Sequence, residues 1–222
     1  IFNLPYMDLV DNNIEKYVES LSDSETPILK EISEYTLKYV HQPRMLSGHL
    51  QGRILSFISK IISPKNILEI GTYTGYSALC LAEGIQEGGE LITIDKDKKL
   101  FKKVNSFFKK SELGKNIKQK VGIALDIIPT LDLKYDLVFI DADKKNYKNY
   151  FDMVFPMVNV GGIIIVDNVL WSGKVTELDK HQNDKIAVYM DEFNRYIHNH
   201  KNISKLILPI RDGLTLITKN EN

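Results

Sequence analysis

Cysteine is nearly absent from this 222-residue chain. Cys80 stands alone, so no intrachain disulfide can form and a CxxC metal site is excluded. A reducing compartment, the cytoplasm, fits that usage. In Ala78-Leu-Cys-Leu-Ala82 the thiol reads as a small buried hydrophobe. An excess of either charge is also missing, because 29 Lys and Arg balance 29 Asp and Glu. Nothing in that balance draws the chain to nucleic acid or to an anionic membrane. No apolar run approaches the roughly 20 residues of a membrane span, and the N-terminal segment lacks a basic-then-apolar signal layout. The five histidines form no ligand pattern, since His198 and His200 lie two apart on a helix and point to different faces.

What is present is periodicity, and it changes along the chain. Ile14, Val18 and Leu21 repeat at helical spacing, as do Ile28, Ile32, Tyr35 and Tyr39. Beyond Pro43, Leu50, Ile54, Leu55, Ile58 and Ile62 mark the apolar face of a third helix. From Ile67 onward short apolar runs alternate with amphipathic stretches: Ile67 to Ile70, Leu91 to Ile94, Leu137 to Ile140 and Ile163 to Val166. Runs apolar on both faces suit parallel strands covered by helices on each side. Between them Leu100, Phe101, Val104, Phe107 and Phe108 stripe a Lys-rich segment, so the lysines from Lys96 to Lys110 read as a solvated helix face. A late helix carries Ile186, Met190, Phe193 and Ile197, and the polar stretch from Ser172 to Asn183 reads as a surface loop. Two final strand-like runs, Ile203 to Ile210 and Leu214 to Thr218, are separated only by Arg211-Asp-Gly213, a tight-hairpin signal. The expectation is one domain over 1–222, with a helical layer at 1–62 and an α/β core at 63–222.

Four strand ends carry polar residues. Leu68-Glu-Ile-Gly-Thr-Tyr-Thr-Gly-Tyr-Ser77 leaves a strand, turns on Gly71 and Gly75 and enters a helix. Its spacing is G-x-x-x-G rather than the G-x-G-x-x-G that seats a pyrophosphate. Glu69 and Ser77 could serve a ligand with a zwitterionic amino-acid end, although a plain strand-to-helix turn explains the same glycines. Asp95 ends the next strand, about 20 residues on, where a carboxylate accepts hydrogen bonds from ribose hydroxyls. A nicotinamide-binding domain uses the same device, so Asp95 indicates adenosine more firmly than any one cofactor.

Asp141 and Asp143 follow the third run, and Asp167 and Asn168 follow the fourth. In an open α/β sheet the site lies beyond the carboxyl ends of the strands, so Asp141, Asp167 and Asn168 should converge there. Two carboxylates and an amide oxygen form a hard, all-oxygen donor set for Mg²⁺, Mn²⁺ or Ca²⁺ that leaves about half an octahedral shell open. Lys144, three positions after Asp141, is expected to be a partly desolvated amine with a lowered pKa. Trp171 and Tyr147 suit either a pocket wall or the core.

Taken in order and spacing, three motifs resemble those of the cation-dependent O-methyltransferases, the class of the caffeoyl-CoA and catechol enzymes and their bacterial relatives. They are the Leu68 to Ser77 turn, Asp141-Ala-Asp-Lys-Lys-Asn-Tyr147 and Gly161-Gly-Ile-Ile-Ile-Val-Asp-Asn-Val-Leu-Trp171. The resemblance covers the chain from about Met45 onward. It implies a class I S-adenosylmethionine (SAM) methyltransferase fold, with a seven-stranded, mostly parallel sheet closed by an antiparallel hairpin and preceded by N-terminal helices. By the same resemblance Asp141, Asp167 and Asn168 look like metal ligands, Mg²⁺ foremost, and Lys144 like the general base. Glu69, Gly71, Thr72, Ser77 and Asp95 match SAM-contacting positions, as do Ser47, Ala124 and Asp143 on looser motifs. The implied reaction moves a methyl group from SAM to a hydroxyl of a catechol or another small phenolic, including a CoA ester, in a homodimer. Two departures concern the acceptor. Leu46-Ser-Gly-His-Leu-Gln-Gly52 stands where plant enzymes have an acid before the glycine, and Ser172 replaces an asparagine after the tryptophan. A nicotinamide-dependent oxidoreductase lacks its glycine signature here, and a non-catalytic SAM-fold protein would not need the acid trio and Lys144.

Overall fold

The computed structural model describes residues 11–221. The first ten residues of the expected helical layer lie outside that range. Three helices come first: α1 (Asn12–Leu21), α2 (Pro27–Tyr39) and α3 (Gly48–Ile62). The core then runs β1 (Asn66–Ile70), α4 (Tyr76–Ala82), β2 (Glu90–Asp95), α5 (Lys98–Phe108), β3 (Ile117–Val121), α6 (Ala124–Ile127) and β4 (Tyr135–Ile140). It closes with α7 (Tyr147–Val154), β5 (Val158–Asp167), α8 (Lys185–Asn199), β6 (Ile203–Leu208) and β7 (Leu214–Lys219).

The seven strands form one sheet in the order β3-β2-β1-β4-β5-β7-β6. The first five are parallel, and β7 pairs antiparallel with both β5 and β6. This is the expected class I methyltransferase topology. Side chains alternate across the sheet as the two-residue period demands. Leu68, Ile70, Val138, Ile140, Ile164 and Val166 face a core completed by Phe151, Met190 and Phe193. Ile67, Leu91, Leu137, Phe139 and Ile165 face a second core with Leu29, Ile32, Leu55 and Phe107. Each such fully buried side chain contributes about 1.5–3 kcal/mol.

Two features differ from expectation. β3 was not visible as an apolar run, because its sequence, Ile-Lys-Gln-Lys-Val, alternates exposed and half-buried positions at the sheet edge. The apolar stripes of the first layer are also only partly buried. Ile14 and Leu21 stay exposed on α1, and Tyr39 on α2. Helix α3 turns Leu55 into the core with Ile54, Ile58 and Ile62 packed beside it, as expected, and also buries Gln51, Gly52, Ser56 and Ser59. Small residues on that face let α3 approach α4 closely: a Cβ on Gly52 would meet the Tyr76 ring at 2.6 Å and the Cys80 sulfur at 2.9 Å. Cys80 itself is buried, as expected. Among the described residues no helix is long and apolar enough to cross a membrane.

Candidate active site at the strand ends

Register places the site. Ile70 pairs with Ile94 and with Ile140, and Ile140 pairs with Val166. The residues that follow, Gly71, Asp95, Asp141 and Asp167, therefore form one row across four strands. A cavity of about 610 Å³ opens along this row. It lies where the strand order reverses between β1 and β4, the usual ligand crevice of such sheets.

Of the residues singled out from sequence, Ser47, Gly71, Asp95, Ala124, Asp141, Asp143, Lys144, Asp167 and Asn168 line this cavity. Glu69, Thr72 and Ser77 sit behind the wall, each buried. The Glu69 carboxyl accepts hydrogen bonds from Ser77 Oγ at 2.6 Å and Thr93 Oγ1 at 2.5 Å. Burial pushes Glu69 up to about 8 against those two hydroxyls, which pull it down.

At the end expected to hold adenosine, Gly71 has φ +110°, and a Cβ there would lie 1.9 Å from the carbonyl oxygen of Asp141. Glycine is required for this close approach of β1 and β4. Asp95 accepts from the backbone N–H groups of Tyr73 and Asp97, both at 2.8 Å, which fixes its carboxylate at the cavity edge. Asp143 is held from below by Tyr150 Oη and Asn146 Nδ2.

At the other end one ammonium holds a carboxylate and a phenol. Lys144 Nζ donates to Asp141 Oδ1 at 2.8 Å and to the Tyr147 hydroxyl at 2.7 Å. That hydroxyl donates to the backbone carbonyl of Asp167 at 3.1 Å. Burial by itself lowers the Lys144 pKa, but Asp141, Tyr147 and Asp167 together outweigh it. The amine is therefore raised above the ordinary lysine value, contrary to the lowered pKa expected from sequence. Tyr147 is fully buried and forms no part of the cavity wall, whereas Trp171 and Tyr150 do.

Asp167 is 4% exposed and accepts from Gln51 Nε2 at 2.6 Å and from the N–H of Asn168 at 2.7 Å. Burial first, and the neighbouring Asp141 second, raise it to about 7. Among the described residues no three His, Cys, Asp or Glu side chains cluster as metal ligands. The set is two acids and an amide, Asp141, Asp167 and Asn168. One buried and one half-buried carboxylate beside an ammonium, with Asp167 resisting ionisation, form an oxygen-lined place that suits a hard divalent cation. Sequence reasoning missed Gln51, Arg211 and Asp212, which also line the cavity. A polar residue on the inward face of α3 was the signal for Gln51. The loop from Ser172 carries two short 3₁₀ turns and contributes Ser172 and Lys174 to the wall.

Comparison with known proteins agrees with this geometry. A family model described as O-methyltransferase matches residues 19–220. The chain is 34% identical over 207 residues to a caffeoyl-CoA O-methyltransferase of Medicago sativa, covering 89% of this chain and 83% of that one. A methyltransferase of Podospora anserina, solved with SAH bound, superposes with a TM-score of 0.86 at 29% identity, covering 100% of this chain and 98% of that one. An O-methyltransferase from Bacillus cereus in complex with SAH superposes at 0.85 and 27% identity, covering 94% and 97%. With the fold, the row of strand-end residues and these matches in agreement, the chain belongs to the O-methyltransferase family.

Proposed function

We propose that the chain transfers the methyl group of SAM to one hydroxyl of a catechol-like acceptor, in a reaction that depends on a divalent cation. The observation that carries this reading is the placement of Asp141, Asp167 and Asn168 in the same cavity as Gly71 and Asp95. A cation held by Asp141, Asp167 and Asn168 would supply a lowered pKa for the acceptor hydroxyl, which is otherwise about 10, and would neutralise the carboxylates that hold the proton on Lys144. Mg²⁺ fits the donor set best, and Mn²⁺ and Ca²⁺ share its preference for oxygen.

The chain's own residues do the rest. Asp95 orients the adenosine through its fixed carboxylate, and the bare backbone at Gly71 keeps the ends of β1 and β4 together beside the cofactor. Lys144, with its side chain 12% exposed, is placed to take the departing proton at Nζ. The acceptor oxygen's electron pair forms the bond to the methyl carbon. The carbon–sulfur bond breaks with its pair left on sulfur, giving SAH, and the hydroxyl proton goes to the Lys144 amine once that amine has released to solvent the proton it holds against Asp141. Much of the acceleration comes from holding the two reactants in line.

Trp171, Ser172 and Lys174 border the acceptor side, and the Medicago sativa relative's name favours a catechol carried on a CoA ester. The exposed apolar side chains Ile14, Tyr17 and Leu21 on α1 support a homodimer, which light scattering on the purified chain tests. For the reaction, methyl transfer is assayed on a simple catechol, a catechol thioester and a monophenol, with Mg²⁺ and with EDTA. Turnover of the catechols with Mg²⁺ alone is expected. Full activity in EDTA would overturn the cation role, and equal use of the monophenol would overturn the catechol.

A further inference from the structure

The β6–β7 turn does more than reverse the chain. Antiparallel pairing of Asp167 with Leu214 brings Arg211, Asp212 and Gly213 to the end of the row that holds the acids. In an ordinary Asp-Gly hairpin the aspartate side chain is at the surface. Here Asp212 is 5% exposed and lines the cavity.

We propose that Asp212 is a positioning residue that sets the orientation of the Asn168 carboxamide and the path of the loop that follows it. This rests on the reading of Asn168 as a cation ligand. Asn168 Nδ2 faces Asp212 Oδ2 at 3.4 Å. A carboxylate can only accept, so the nitrogen of the amide is the atom turned toward it, and the oxygen is the atom left for the cavity. Without Asp212 the two ends of that amide are nearly equivalent, and a flipped amide presents an NH₂ group that no cation binds.

The same residue gathers the loop. Asp212 Oδ1 accepts from the Ser172 N–H, its carbonyl accepts from Leu170 N–H at 2.9 Å, and the Gly213 carbonyl accepts from Val169 N–H at 3.2 Å. The loop needs such anchors. Asn168, Trp171 and Ser172 have φ of 60°, 46° and 55°, a left-handed conformation that non-glycine residues rarely adopt and that persists only where surroundings enforce it. Gly213 allows the anchoring, since a Cβ there would lie 2.5 Å from Leu170 Cγ.

The test measures binding of Mn²⁺ alone and of SAH alone, by calorimetry on the full chain, in the parent, Asp212→Asn, Asn168→Asp and the double variant. Asp212→Asn keeps an oxygen for the Ser172 N–H but turns an NH₂ toward the Asn168 NH₂. It should weaken Mn²⁺ binding about ten-fold or more, the usual effect of removing a group that orients a ligand, while SAH binding stays within about two-fold. Adding Asn168→Asp restores a donor–acceptor pair, so the two changes should be strongly non-additive for Mn²⁺. Thermal melting of each variant verifies that it is folded, and Asp212→Asn is close to isosteric. If the parent binds Mn²⁺ and Asp212→Asn binds it equally well, or the two changes simply add, Asp212 does not position Asn168. If the parent binds no Mn²⁺ at all, the cation reading itself fails and this inference falls with it.

Discussion

Gln51 Nε2 donates to Asp167 Oδ2 at 2.6 Å, joining α3 to the carboxyl end of β5 across 116 residues of sequence. Both side chains are buried, so the helical layer is part of the site rather than a cover over it. A neutral amide is the right partner for a carboxylate that already has Asp141 as a neighbour. Gln51→Glu would place a third acid there. Protonated, the new carboxyl donates as Gln51 does; ionised, it repels. Its pKa is therefore raised in the folded chain, and it favours folding in acid and opposes it as pH rises. The variant should lose about 1–3 kcal/mol at pH 8 and much less at pH 5.5, as measured by urea denaturation at both. An equal loss at the two values would show that the new carboxyl does not titrate beside Asp167.

Asp167 carries a second pH dependence. Burial and Asp141 raise it from an ordinary 3.8 to about 7, so the native chain holds an extra proton across that window. The stabilising effect of that proton is complete below about 4 and is lost as pH rises through about 7. A cation needs the ionised form and displaces the proton. Apparent Mn²⁺ affinity should fall about ten-fold per pH unit below about 7 and level off above it. Calorimetry at pH 5.5, 6.5, 7.5 and 8.5 measures this, and a flat profile would show that Asp167 is already ionised across that range.

The parts of the site legible in the sequence are those written in local order. An apolar run followed at once by an acid gives Asp95, Asp141 and Asp167, because parallel strands bring such ends together whatever lies between. The glycine turn at Gly71 is equally local, and so is the Arg211-Asp212-Gly213 hairpin as a turn, though not the entry of Asp212 into the site. What the sequence concealed depends on neighbours far along the chain. The amine of Lys144 looks isolated in Asp-Lys-Lys-Asn, yet Asp141 and the Tyr147 hydroxyl hold its proton on. The apolar spacing finds Leu55, Ile54, Ile58 and Ile62 on the core side of α3 but not the small and polar residues between them. Close packing on α4 there selects Gly52 and Ser59, while Phe57 and Ile61 stay outside. β3 hides because an edge strand has one wet face and needs no apolar run.

Gly71 and Gly88 separate backbone strain from steric collision. Both have positive φ, +110° and +74°. A Cβ at Gly88 meets nothing within 4 Å, whereas one at Gly71 lies 1.9 Å from the Asp141 carbonyl oxygen. Gly88→Ala should cost about 1 kcal/mol from conformation alone. Gly71→Ala should cost at least about 3 kcal/mol, because β1 and β4 must move apart, and it should abolish SAH binding. Denaturant melts and SAH titrations of the two variants make the comparison. Equal stabilities would show that the row of strand ends can adjust to a methyl group at Gly71.

Glu69 offers a test of the cofactor end that needs no acceptor. Burial raises it to about 8 although Ser77 and Thr93 donate to it, so at pH 7 the carboxyl is mostly protonated. Between 4.5 and about 8 the folded chain holds this proton and the unfolded chain does not, so its contribution to stability declines across that window as pH rises. The amino group of SAH carries a positive charge, and an ammonium close to Glu69 favours the carboxylate. Binding SAH at pH 7 should therefore release close to one proton into solution. Calorimetry in phosphate and in Tris, whose ionisation enthalpies differ widely, reads that proton directly as a difference in apparent heat. Glu69→Gln keeps the side chain's shape and abolishes the difference. If the parent shows the same heat in both buffers, Glu69 stays protonated when SAH binds and acts only as the hydrogen-bonded support behind Gly71.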